Sequence, residues 1–229
     1  MVISTLVNTL AVLLGSAVGL GLHGRIAERF KVILFQSIGL ITLIIGLRDA
    51  FKTEDIPILA LSLILGGLIG EGLNIEGRLE AVGAILKRWM RVEGDSQFIE
   101  GFVAASLLFC TGAMTVVGTL KAGVEGNGEI IYTKSLLDGH AAIFLAGAMG
   151  AGVMASAATV LFFQGGLTLM FMLVGANLPD YVITEIGAAG GLLIVGISIN
   201  LLNIGKVRVG NLMPGMLFAG LLIWIRHSF

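Results

Sequence analysis

Long apolar runs separated by short polar ones occupy nearly the whole chain. The clearest runs are about Ile3–Leu22, Val32–Leu47, Ile56–Gly70, Phe102–Leu120, Ile186–Leu202 and Asn211–Ile225. A membrane-spanning helix needs about 20 mostly apolar residues, and these runs approach or reach that length. A transmembrane barrel would instead show ~10-residue segments of alternating polarity, which the sequence lacks. The stretch from Ile130 to Leu178 is harder to divide. It reads as one span of about Ala141–Phe163 and a short one of about Gly165–Leu178, or as an arrangement with a half-helix before Gly139 that dips into the membrane. The pattern predicts an all-α fold, a polytopic transmembrane helix bundle of about eight spans, with seven as the alternative, in a single integral membrane domain over residues 1–229.

Between the third and fourth runs lies a polar connection, Glu71–Gln97. Within it Leu79, Val82, Leu86 and Trp89 recur at helical spacing, and Lys87, Arg88 and Arg91 hold the polar side. An apolar stripe with tryptophan and a basic face predicts an amphipathic helix in the membrane interface, about 76–93. The other reading is a connector helix packed on the protein.

Composition agrees with the pattern. The 229 residues are 56% hydrophobic and 13% charged, with a mean hydropathy of +1.00, against roughly 25% charged in a soluble domain. The 34 glycines suit membrane helices that pack through small residues. The net charge of −1 offers no footprint for nucleic acid. A single cysteine, Cys110, excludes an intrachain disulfide. No basic residue precedes the first run, and it is longer than a signal-peptide core, so it reads as a retained span.

Lys and Arg placement sets orientation. With the N-terminus outside, cytoplasmic segments hold Arg25, Arg29, Lys31, Arg78, Lys87, Arg88, Arg91, Lys206 and Arg208. External segments hold Arg48, Lys52, Lys121, Lys134 and Arg226, so the bias is nine against five. Eight spans then put both termini outside. A weak internal repeat is also visible. "LLGSAVGLGL" at Leu13–Leu22 resembles "FLAGAMGAGV" at Phe144–Val153, and "GLITLIIGLRDAF" from Gly39 resembles "GLLIVGISINLLN" from Gly191. These suggest related halves of about 1–75 and 140–229, although glycine-rich apolar text also matches itself by chance.

No motif of a soluble enzyme is present, and no cofactor is expected. His23, His140 and His227 are scattered, which argues against a structural metal site. The chemistry rests on polar residues inside apolar runs, because such groups cost several kcal/mol in hydrocarbon unless paired. Lys134 and Asp138 are four apart and share a helix face with Ser135 nearby. They form either a solvated interface pair or a site where Asp138 binds a cation or exchanges a proton. Thr111-Gly112, with Thr115 beyond, marks a break that can expose carbonyl oxygens suited to an alkali cation, or else simple helix packing. Gln164, before Gly165-Gly166, either lines a path or ties two helices together. Asn200 and Asn211 either line a site or serve turns and caps, Asn211 at the start of the last span with Pro214 in its first turn.

The segments "FCTGAMTVVGTLKAG", "KSLLDGHAAIFLAGAMGAGV", "FFQGGLTL" and "VGNLMPGM", in that order, resemble a bacterial inner-membrane family known as domain of unknown function 554. Cys110, Gly112, Met114, Gly118, Lys134, Ser135, Asp138, Gly139, Gln164, Gly165, Asn211 and Pro214 match its pattern. Gly215 departs from it, standing where alanine is expected. The resemblance covers essentially the whole chain. It implies a multi-pass protein of the cell inner membrane, a family sometimes labelled a sodium channel or pump.

The function expected is therefore transport or channelling, ion-coupled, of a cation or small solute through a polar site near Asp138, Thr111 and Gln164. The partners expected are the lipid bilayer, a small solute or ion, and a second copy of the chain. The Gly15–Gly19 pair offers a packing face for that copy, although packing within the chain would use it equally well. The alternatives are a structural or regulatory membrane protein, and a membrane-embedded enzyme built on Asp138 and His140. Two residues apart on a helix, those side chains point to different sides.

Overall fold

The computed structural model describes residues 2–23, 28–92, 97–174 and 178–228. Arg25, counted in the charge bias, and Glu93, the expected end of the interfacial helix, lie outside them. The fold is all helical, at 87% helix, with no strand among the described residues. In chain order the helices are α1 (Val2–Leu22), α2 (Glu28–Ala50), α3 (Ile56–Leu73), α4 (Ile75–Trp89), α5 (Phe98–Thr111), α6 (Ala113–Val124), α7 (Glu129–Met149), α8 (Ala151–Val174), α9 (Asp180–Leu201), α10 (Val209–Leu212) and α11 (Pro214–Ser228).

Among the described residues, six segments are long and apolar enough to cross a membrane. They are α1, Val32–Ala50 of α2, α3, Ala151–Leu173 of α8, α9, and α10 with α11 taken together. A seventh results if α5 and α6, bent by 57° at Gly112, form one broken span. The expected break at Thr111-Gly112 is therefore present: Gly112 is extended, with φ −69° and ψ 150°. The expected count of eight depends on α7, which is 21 residues long but is not one of the six.

The division of residues 130–178 differs from expectation. α7 starts at Glu129 and runs unbroken through Gly139, so no half-helix precedes that glycine. The boundary between the two helices falls at Gly150, not at Gln164–Gly165. Gly150 has φ 79°, a backbone conformation that glycine adopts without steric penalty. The two glycines after Gln164 stay helical within α8; the Gln164 carbonyl accepts from the Thr168 hydroxyl and its side chain from Asn8 of α1.

Close approach of small residues sets the packing. Gly15 of α1 meets Gly139 of α7, and Gly19 meets Ile143 and Gly147, so these two helices run in the same direction along their length. A Cβ on Gly15 would collide with the Gly139 carbonyl. The expected Gly15–Gly19 face is thus used within the chain. On α3, Gly66 meets Gly215 and Gly70 meets Asn211, so α3 and α11 run antiparallel. The pairing of Gly46 with Gly191, and of Ser198 with the Gly39 carbonyl, makes α2 and α9 antiparallel as well. The segments that resemble each other in sequence are therefore spatial neighbours.

The outer surface is apolar, as a bilayer requires: Leu14 (67% exposed), Ile44 (66%) and Leu68 (68%) face outward from three different helices. The interior is built around α9, whose Gly187–Gly191 stretch is buried. α3 starts cleanly because Asp55 accepts from the Ile58 N–H and Pro57 sits in the first turn. α4 divides its apolar stripe between two surroundings. Leu79 and Leu86 pack on Phe98 and Phe102, while Val82, Ile85 and Trp89 face out.

Candidate functional site

The centre of the site is α7. Lys134 and Asp138, one turn apart, are 4% and 9% exposed, and they form an ion pair through Lys134 Nζ and Asp138 Oδ2. At a rise of 1.5 Å per residue, Asp138 lies roughly 13 Å from the start of α7, deep in the helix. The pair is buried in the bundle, so it is not the solvated surface pair that the sequence also allowed.

Two other helices complete the network. Asn8 of α1 donates through Nδ2 to Asp138 Oδ2 at 3.0 Å and to Gln164 Oε1 of α8 at 2.8 Å. Gln164 Nε2 donates to Thr5 Oγ1 of α1 at 3.3 Å. Asn8 and Thr5 are 0% exposed and Gln164 is 1% exposed. Helices α1, α7 and α8 are thus joined by the chain Lys134–Asp138–Asn8–Gln164–Thr5. The close approach of Gly15 to Gly139 is what brings α1 near enough to α7 for these side chains to meet. Neither Asn8 nor Thr5 was singled out from the sequence. Their signal was present: Asn8 is the lone amide in an apolar run. The acceptor Asn8 Oδ1 has no hydrogen-bond partner among the described residues.

The broken helix packs on two neighbours: at the break the Thr111 carbonyl lies against Gly190 of α9 and Gly112 against Ile194, while Gly118 of α6 meets Ile131 of α7. Thr111 donates to the Leu107 carbonyl at 2.7 Å, and Thr115 reaches back across the break to the Phe109 carbonyl at 3.1 Å. These hydroxyls occupy backbone acceptors near the break, which is how polar side chains make interrupted helices tolerable in a membrane. Ser135 donates to the Ile131 carbonyl at 2.7 Å. His140 lies on the exposed side of α7, with its Nδ1 on the Leu136 carbonyl, while Asp138 faces inward.

The two asparagines lie elsewhere. Asn200 exchanges two hydrogen bonds with the Val207 backbone, closing the turn after α9. Asn211 does not cap its own helix. Its Oδ1 accepts from the Glu76 N–H at the start of α4, and its Nδ2 donates to Glu71 at 2.8 Å. Glu76 in turn accepts from the Gly210 N–H at 2.8 Å, and Arg208 pairs with Glu71. Burial pushes the Glu76 carboxyl above its ordinary value, against the opposing effect of the Gly210 N–H.

A third polar cluster, also missed from the sequence, sits at the other end of α3. Glu185 of α9 is 0% exposed and accepts from Thr53 Oγ1 at 2.7 Å, Glu54 N at 2.8 Å and Asp55 N at 3.1 Å. Asp55 also pairs with Arg226. Among the described residues, no three His, Cys, Asp or Glu side chains converge as a metal ligand set. A cation held at the central site would therefore rely on amide and hydroxyl oxygens beside one carboxylate.

A family described as "Protein of unknown function (DUF554)" matches residues 3–224, and the chain belongs to it. The chain is 29% identical over 229 residues to "Uncharacterized membrane protein YdfK" of Bacillus subtilis (strain 168), covering 98% of this chain and 97% of that protein. It is 29% identical over 223 residues to "Uncharacterized protein YqgA" of Escherichia coli (strain K12), covering 96% and 95%. No solved structure matches the chain.

Proposed function

We propose that this member of the DUF554 family is an ion-coupled membrane transporter in which the Asp138 carboxylate exchanges its internal counter-ion, the Lys134 ammonium, for a proton or another small cation. One observation carries the reading: a buried Lys134–Asp138 pair tied through Asn8 to Gln164, at depth between helices α1, α7 and α8. A buried ion pair contributes little to stability compared with apolar residues of the same volume. Ionisable groups within membrane helices are rare and costly, and they mark ion pathways and proton relays. The pair is also electrically neutral as it stands. Lys134 stays on α7 when it is displaced, so a monovalent cation at the carboxylate preserves that balance only as the ammonium releases its proton, and a divalent ion does not.

The broken α5–α6 helix, whose second half packs on α7 at Ile131, supports the same reading, because discontinuous helices flank the sites of many transporters. α7 runs parallel to α1 along its length and is taken as a further crossing despite its charges. With the α5–α6 pair as one span, the crossings then number eight, and the helix directions alternate consistently. The Lys and Arg distribution favours an external N-terminus in the cell inner membrane. The protein works in this reading by binding and translocation, not as an enzyme.

The test is flux into proteoliposomes under imposed proton, sodium and potassium gradients, read with pH-sensitive and ion-sensitive dyes. Asp138→Asn should abolish gradient-driven flux while the protein remains folded and monodisperse. Wild-type flux in that variant would remove Asp138 from the mechanism. A protein silent under every gradient would favour the structural reading.

A further inference from the structure

We infer that the inward face of α1 is the wet lining of the ion path, with Val12 as its apolar barrier; this rests on the transport reading and assigns the route. The pattern of α1 is reversed relative to a soluble helix. Its buried residues are Ser4, Thr5, Asn8, Thr9, Val12, Gly15, Ser16 and Gly19, so Val12 supplies the one bulky apolar side chain on that face. Its outward residues are apolar, as with Leu10 (55% exposed) and Leu14 (67%). Positions 5, 8, 12 and 16 are three or four apart and form one stripe down the helix, beside the Gly15–Gly19 edge that packs directly on α7.

Two buried side-chain atoms among the described residues have no hydrogen-bond partner in the protein, and both belong to this stripe. They are Asn8 Oδ1 and Ser16 Oγ. Unpaired buried polar atoms are rare, and each calls for an explanation. The cost is greatest within a membrane, where hydrocarbon offers no replacement partner. A hydrated path meets both atoms at once. Asn8 joins the path to Asp138, while Ser16 continues it eight residues further, roughly 12 Å along the axis. Val12 is 0% exposed and sits between them, packed among apolar residues of the core. The path is therefore closed at Val12 in this conformation, with a polar segment on either side.

The sole cysteine, Cys110, makes the test direct. In a Cys110→Ala background, S16C, V12C and L14C are introduced one at a time and exposed to a membrane-impermeant, charged methanethiosulfonate from each face of oriented vesicles. The Ser16 hydroxyl makes no hydrogen bond among the described residues and cysteine is nearly its size, so S16C should fold. A thiol reacts as thiolate, which requires water. S16C should react at least roughly tenfold faster than L14C from the face carrying the C-terminal end of α1, and V12C should resist the reagent from that face. V12S, made separately, should raise passive leak of the ion. If S16C is as inert as L14C from both faces, the lining is overturned, even where flux still depends on Asp138. If S16C reacts in a protein that passes no ion under any gradient, the wet lining stands and the transport reading falls.

Discussion

Removing one member of the central ion pair separates a functional site from a structural one. Lys134→Met leaves Asp138 buried, with Asn8 as its remaining hydrogen-bond donor and no counter-charge. Breaking a buried pair in this way costs about 3–5 kcal/mol, because a charge is left uncompensated in a poor solvent. For a chain of this size, each kcal/mol shifts the melting temperature by about 2–4 °C, so a drop of roughly 10 °C is expected. Asp138→Leu should behave similarly, since it strands the ammonium of Lys134. The double variant Lys134→Met/Asp138→Leu removes both charges and keeps the volume apolar, and such replacements are often neutral or stabilising by about 1–4 kcal/mol. The cycle should therefore be strongly non-additive: two damaging single changes and a double variant near wild type. The assay is thermal and denaturant unfolding in one fixed lipid–detergent mixture, with flux measured on the same preparations. Stability should return in the double variant while flux does not. A double variant as unstable as either parent would show that the pair holds the fold together, and the argument for an exchangeable counter-ion would fail.

Three further outcomes follow from the packing and polar clusters. Gly15→Val drives a side chain into the Gly139 carbonyl, a backbone atom that cannot yield cheaply; it should cost at least about 1–3 kcal/mol and pull Asn8 away from Asp138, lowering both melting temperature and flux. Glu185→Ala leaves the Glu54 N–H and the Thr53 hydroxyl without their acceptor and the Asp55 N–H with Thr53 Oγ1 alone, so roughly 2–3 kcal/mol should be lost, visible as faster hydrogen exchange at Glu54; unchanged exchange would remove Glu185 as the clamp of the α2–α3 turn. Glu76 binds its proton more tightly folded than unfolded, so its contribution favours the folded state below the ordinary value of 4.5 and is lost as pH rises through the raised one. Melting curves across that window should fall more steeply for wild type than for Glu76→Gln, and parallel curves would refute the assignment.

Some of this molecule could be read directly from its residues. The apolar runs marked most of the spans, because a bilayer imposes length and hydropathy on each helix separately. The break at Thr111-Gly112 was visible because hydroxyl and glycine act locally on the backbone. The Lys134–Asp138 pairing followed from helical spacing alone. Asn8 was missed because its meaning lies in two partners, 130 and 156 positions away. Gly150 was missed as the end of α7 because a positive φ is chosen by the surrounding packing, and thirty-three other glycines competed for attention. The start of α7 was hidden by the same charges that make the helix interesting, since they lower the hydropathy by which a span is recognised. Glu185 stood near the edge of an apolar run, where a lone acid looks like a helix terminus. Its burial depends on the α2–α3 turn folding over it.

The three polar clusters differ in a way that bears on function. At one end of α3, Glu185 takes hydrogen bonds from a hydroxyl and two backbone amides. At the other end, Asn211 uses both ends of its amide on Glu71 and the Glu76 backbone. Both clusters tie a loop or corner to a neighbouring helix, and both are closed, as structural polar networks tend to be. The central cluster does neither. It joins three long helices rather than a turn, holds a full positive and negative charge, and leaves Asn8 Oδ1 without a partner among the described residues. Natural sequences depart from complete polar satisfaction mainly where function demands it. A chain that satisfies its polar side chains so fully at both ends of one helix has the means to satisfy the middle as well. The open acceptor beside Asp138 is therefore better understood as a place for something that comes and goes than as a defect in packing.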